Sequence, residues 1–322
     1  MHPFGEVSTH LETVRGQVLI AALAMNAKCA PSPYALATWQ DRKNPCASEK
    51  EPVPWGLQKV WRRRFERAIV RTQTREAWFE EFNDLREVYD NLLWFTLNAR
   101  TPHTAFDTCI TLFRLNGEPL NGRHALEMSS LIECPDWSQL GYLICYLRCR
   151  AERFPIQRAW AAKNFFPFFA LACLRPPCRC IAVELYELLD ELIEDNCMAV
   201  NPRMWPLNSA EFSDYLAAFD ELGDNLIAKE YVREWGAECL IWIWQLVERR
   251  NLPLLQAINR SLHDTLRPDI PRRFQERITE AIDRHGHTLL GIDAPAPSSV
   301  VGAPAAISTS VPGNVRPCSR CK

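Results

Sequence analysis

The amino-acid sequence predicts an all-α protein, on three observations. Glycine is scarce, 12 in 322 residues. No two-residue hairpin turn joins alternating apolar and polar runs. Apolar residues recur at spacings of three and four along almost the whole chain. With 47% hydrophobic and 24% charged residues, the chain can bury a substantial core. The expectation is a compact, non-repetitive domain of about ten to twelve helices over residues 1–291, with possible sub-lobes at 1–133 and 134–291.

The elements follow in order. Thr9 with Glu12 reads as a capping box opening a first helix that runs to Lys28. Its apolar stretch Val18–Met25 is short and preceded by Glu6 and Glu12, so it reads as a core helix and not a leader. Further helices are expected near 33–42, 55–71, 74–98, 104–113 and 121–132. The segment HTAFDTCITLFRLNGEPLNGRHALEM has the flavour of a helical repeat but does not recur. Asp136 with Gln139 makes a second capping box just after Pro135, and the helix it opens carries Cys145 and Cys149. The helix at 156–174 should stop at Pro176 and Pro177, because proline has no N–H to donate. Pro177 then suits the first turn of a helix at 178–198. Asn208 with Glu211 opens 209–228, followed by helices at 229–250, 252–265 and 270–285. The segment Val232–Arg250 is apolar on nearly every side, and exposing Trp235, Trp242 and Trp244 would be costly, so it belongs in the middle of the fold. From Asp293 the composition turns to Pro, Ala, Ser and Val, predicting a disordered tail over 292–322.

Composition also excludes some classes of function. A net charge of −2 and a pI near 6.4 lack the positive excess needed to coat nucleic acid or acidic lipid. The longest apolar runs, Phe165–Leu174 and Cys239–Trp244, fall short of the roughly 20 residues a bilayer core needs. The C-terminal CSRCK is no prenylation box, since Ser319 stands where cysteine is required. Neither a membrane nor nucleic acid is therefore expected as a partner. The 13 cysteines are spread from Cys29 to Cys321 with no secretory signal before them, which predicts reduced thiols in an intracellular, cytoplasmic or nuclear protein.

Three segments carry candidate sites. In Leu171–Ala182, LACLRPPCRCIA, Cys173, Cys178 and Cys180 surround the two prolines. Together with Cys145 and Cys149 they could meet around a structural zinc, or else line a packed corner as buried thiols, with no cofactor at all. The tail pair Cys318 and Cys321 supplies only two ligands. In Ile181–Asp195 the residues Leu185, Leu188, Leu189, Leu192 and Ile193 form one helical face. Glu184, Glu187, Asp190, Glu191, Glu194 and Asp195 cover the other. Like charges at i, i+4 cost about 0.2–0.5 kcal/mol each, so the face is either simply solvated or meets basic groups. In Lys59–Arg71, KVWRRRFERAIVR, the residues Arg63, Arg67 and Arg71 align on one face and Trp61, Phe65, Ala68 and Ile69 on another. That basic helix could pair with the acidic one, be simply solvated, bind a protein partner or phosphates of nucleic acid, or act in nuclear import.

Leu174, Cys178 and Ala182 resemble the Leu-x-x-x-Cys-x-x-x-small box by which adaptors of cullin ubiquitin ligases hold elongin. The wording ALAC…CRCIA is similar to the cysteine-rich centre of the adenovirus early-region-four adaptor proteins. The resemblance is confined to Leu171–Ala182, with Cys173 where Ser, Thr or Pro is usual and with two prolines inside the box. It implies a viral substrate adaptor acting on host proteins, with Leu174 and Cys178 at the elongin contact.

No phosphate loop, dinucleotide fingerprint, HExxH or GxSxG elbow is present. Asp283, His285 and His287 read as the end of the last helix, where histidine favours the dipole. The expected function is therefore that of a regulatory or protein–protein interaction protein with no catalytic residues. The competing classes are the ubiquitin-ligase adaptor and an enzyme with an unrecognised helical active site, which would need a deep polar pocket with convergent titratable groups.

Overall fold

The computed structural model describes residues 9–43, 55–67, 70–115, 118–119, 128, 134–150, 152–248, 252–259 and 270–285. Apart from the buried Met128, the helix expected at 121–132 lies outside the described residues, as do the end of 252–265, the tail 292–322, and Cys46, Cys318 and Cys321. The described residues are mostly helical, as the apolar spacing requires. The helices are α1 (Thr9–Asn26), α2 (Pro33–Lys43), α3 (Trp55–Arg67), α4 (Thr72–Glu81), α5 (Asp84–Tyr89), α6 (Leu92–Thr96) and α7 (His103–Thr111). They continue with α8 (Trp137–Arg148), α9 (Pro155–Cys173), α10 (Ala182–Glu194), α11 (Ser209–Ala228), α12 (Ala237–Glu248), α13 (Leu252–Asn259) and α14 (Arg272–His285). A two-residue antiparallel ladder pairs β1 (Arg114–Leu115) with β2 (Glu118–Pro119).

One contiguous apolar core runs from Leu11 to Ile278. Helix α1 is buried on nearly every side from Val18 to Ala24 and packs on α3, α5, α10 and the 3₁₀ turn Cys178–Ile181. Helix α8 lies against α6, α7 and α9, and α12 lies against α9, α11, α13 and α14. Contacts from α1 and α8 thus join the segments before and after residue 133. Gly141 lets α8 approach α6 closely, since a Cβ there would stand 2.8 Å from the Leu93 backbone nitrogen. Of the segment Val232–Arg250, α12 runs through the interior: Trp242 and Trp244 are buried, Trp244 edge-on to Phe168 at 5.3 Å and to Trp160 at 6.4 Å, whereas Trp235 stands before the helix and is half-buried.

Several boundaries differ from expectation, each for a local reason. The helix expected at 74–98 breaks into α4, α5 and α6, because the Asn91 side chain accepts from the Leu93 N–H and caps a new helix within the apolar pattern. The helix at 229–250 starts only at Ala237, since Glu230 adopts φ 59° and ends α11. Between α9 and α10, residues 178–181 form a 3₁₀ turn instead of the first turn of an α-helix. The Asp136–Gln139 box does not form: the Asp136 carboxylate accepts the Ser138 hydroxyl instead. Asn208 does cap α11 by accepting from Glu211 N–H at 2.9 Å, while the Glu211 carboxylate reaches the Leu207 N–H at 2.6 Å.

Candidate functional site

At the turn between α9 and α10, whose axes differ by 108°, the chain folds its cysteines inward. Cys173 and Cys178 are buried and Cys180 is exposed, its thiol directed at the Pro177 carbonyl 3.3 Å away. Burial pushes the Cys173 and Cys178 thiols up, and Cys178 is raised further by its neighbours Cys173, Asp136 and Cys180. Cys145 has different company. It is buried on α8, hydrogen-bonded to Cys109 of α7, and desolvation raises it well above the ordinary thiol value. Cys149, just past the end of α8, points its thiol at the Tyr146 carbonyl at 3.1 Å and is pushed by burial to about 11. The five candidate cysteines therefore sit in two groups, Cys145 and Cys149 with Cys109, and Cys178 with Cys173 and Cys180. Among the described residues no three His, Cys, Asp or Glu side chains are arranged to hold a metal ion.

The same turn carries the resemblance to the adaptor box. Leu174, Cys178 and Ala182 are all buried, so as folded none of the three presents its side chain to a partner. Arg179 fastens the turn from outside, donating to the Leu174 carbonyl at 3.3 Å and to Asp220 on α11 at 3.0 Å.

Helix α10 keeps the two faces read from its spacing. Leu185, Leu188, Leu189 and Leu192 are buried, while Glu187, Glu191, Glu194 and Asp195 are exposed. Two of its acids are partly withdrawn. Glu184 is half-buried, and so is Asp190, which accepts from the Trp205 indole N–H at 2.8 Å. Trp205 stacks on Tyr186 at 5.4 Å and on Phe165 and Phe169 at 6.0 Å, so Asp190 orients a core side chain. Glu191 faces His10 of α1 at 3.5 Å. Beside this helix, two residues after Trp205, Leu207 is 86% exposed.

Helix α3 presents the opposite charge. Its inner face is fixed: Trp61 is buried, stacks on Trp78 at 5.7 Å and donates to Gln40 at 2.8 Å. Arg64 lies over the Trp61 ring at 4.7 Å, and desolvation lowers its pKa. The outer face holds a shallow open groove of about 190 Å³ lined by Trp55, Gln58, Lys59, Arg62, Arg63 and Glu66. Trp55 is 68% exposed, with the Arg62 guanidinium 5.9 Å from its ring centre. The arginine row is shorter than expected. Val70 and Arg71 are not helical, and Arg71 stands just before α4, so it does not extend the face of Arg63. Arg67 ends α3. No ion pair joins α3 to α10 among the described residues.

Sequence reading missed the buried charges of α8 and α7. Arg148, 1% exposed, donates to the carbonyls of Thr96 at 2.6 Å, Asn98 at 2.9 Å, Ala99 at 3.3 Å and Thr101 at 3.4 Å, and lies 4.6 Å above the Phe106 ring. Asp107 is equally buried and accepts from the Arg150 side chain at 2.5 Å and its backbone N–H at 3.1 Å. The one signal in the sequence is placement, since Arg148 falls among the apolar positions of the Cys145–Cys149 turn.

Compared with known proteins, the chain matches no family model, no curated protein and no solved structure.

Proposed function

We propose that this chain is a regulatory protein that acts through protein contacts, with the outer face of α3 as its contact surface. The observation that carries this reading is Trp55, a large aromatic side chain left 68% exposed among Lys59, Arg62 and Arg63 on a helix whose other face is locked into the core. Tryptophan and arginine are the side chains that dominate binding energy at protein interfaces. A rigid helix presenting them loses little conformational freedom on binding.

The test is affinity purification of the wild type and of the Trp55→Ala, Arg62→Glu, Arg63→Glu variant from the same lysate, read by mass spectrometry. Substitutions at these exposed positions leave stability within about 0.5 kcal/mol each, which thermal unfolding checks. The expected result is a protein retained by the wild type and lost from the variant. Identical sets retained by both would refute the assignment of α3.

A further inference from the structure

We propose that α3 of one molecule docks against α10 of a second copy of this chain, an inference that rests on α3 being a contact surface and names its partner. The two helices are matched in charge. Helix α3 carries Lys59, Arg62, Arg63, Arg64 and Arg67 against Glu66 alone, whereas α10 carries Glu184, Glu187, Asp190, Glu191 and Glu194 and no basic residue. They are also matched in length, 13 residues each, or about 20 Å of helix.

Within one molecule these charges do not satisfy each other. Lys59, Arg62 and Arg63 on α3, and Glu187 and Glu194 on α10, form no ion pair among the described residues. Each face also has apolar anchors. Trp55 and Val60 are exposed on α3, Val183 is exposed at the start of α10, and Leu207 is exposed beside it. Trp205 and Pro206 hold that last residue in place, through hydrogen bonds to Asp190 and Tyr186. The pairing joins unlike patches: made reciprocally it closes a two-fold dimer, and made head to tail it grows as a ring or an open chain. Because the pairing charges are exposed, the contact weakens steeply with salt.

Sedimentation velocity on nuclease-treated protein tests this, at about 50 mM and about 500 mM NaCl. The expected result is concentration-dependent association at low salt that falls at least tenfold at high salt. The Arg62→Glu, Arg63→Glu variant and the Glu187→Lys, Glu194→Lys variant should each remain monomeric. Mixed together they should associate again, since each then offers a complementary face to the other. A wild type that stays monomeric at low salt up to about 100 µM, or a mixture that stays monomeric, overturns the proposal. A monomeric wild type that nonetheless retains a different protein through α3 overturns only the choice of partner. Loss of nothing by the α3 variant in the lysate experiment overturns the contact surface itself.

Discussion

Replacing Arg148 by methionine removes the donor that closes the end of α6. Methionine keeps the apolar stem and removes the guanidinium, together with its stacking over Phe106. Four carbonyls lose this donor. Ala99 is exposed and can turn to water, the Ala99 and Thr101 bonds are long, and the Asn98 carbonyl keeps the Thr101 N–H at 3.0 Å, so the cost concentrates on the buried Thr96. A buried acceptor left without a donor costs about 1–3 kcal/mol. A cation at a helix C-terminus adds up to about 2 kcal/mol. Against this stands the cost of burying the guanidinium, which desolvation reveals by lowering its pKa and which no carboxylate offsets among the described residues. The net expectation is a loss of about 2 kcal/mol, measurable by urea unfolding followed by far-ultraviolet circular dichroism. Arg148→Lys keeps the charge but not the planar fork and should lose about half as much. A methionine variant within about 0.5 kcal/mol of wild type would show that water satisfies these carbonyls, and would refute the reasoning.

Gly223→Ala should destabilise even though alanine is the better helix former, because its Cβ would stand 2.0 Å from Cζ2 of Trp235, whose indole N–H is held by Asp224 at 2.8 Å. Overpacking costs about 1–3 kcal/mol against about 1 kcal/mol of propensity gained; in a Trp235→Ala background the same substitution should become stabilising, and equal effects in both backgrounds would sink the explanation. Stability should also fall in alkali. Burial raises the thiols of Cys145, Cys173 and Cys178, and holds Cys149 at about 11 and Cys239 at about 12. Their folded values lie above the unfolded one, so the stabilisation is intact below about pH 8.5 and is lost above it, at up to about 1.4 kcal/mol per pH unit for each thiol. Melting temperatures of the reduced protein from pH 7 to pH 10 measure this, and a flat profile contradicts it.

What the sequence made legible was periodicity. In α10 the spacing of Leu185, Leu188, Leu189 and Leu192 named the buried face and left Glu187 and Glu191 outside. The same signal hid the breaks at Asn83 and Asn91, because α4, α5 and α6 each turn apolar residues to one core and the pattern runs on across the joints. Single polar residues were least legible. Asp190 has the sequence context of its exposed neighbours, and only the arrival of Trp205 from the next segment gives it an internal partner. The roles of Arg148 and Asp107 are set by chain more than 40 residues away, beyond any local pattern. Of the proposed contact surface, the basic face of α3 was visible from residue spacing, whereas the exposure of Trp55 was not, since a tryptophan beside Trp61 reads equally well as core.

The anchoring of residues 148–150 orders events when the chain is made. Arg148 reaches back 47 to 52 residues, its carbonyl meets His103 after 45, and Arg150 meets Asp107 after 43. A ribosome releases the N-terminal side first, so the end of α6, the loop to α7 and the Asp107 carboxylate emerge with water as their only partner until Arg150 has followed. Vectorial synthesis thus leaves a nascent chain ending near residue 133 without the groups that lock it. Truncation at that point removes the clasp along with the second half.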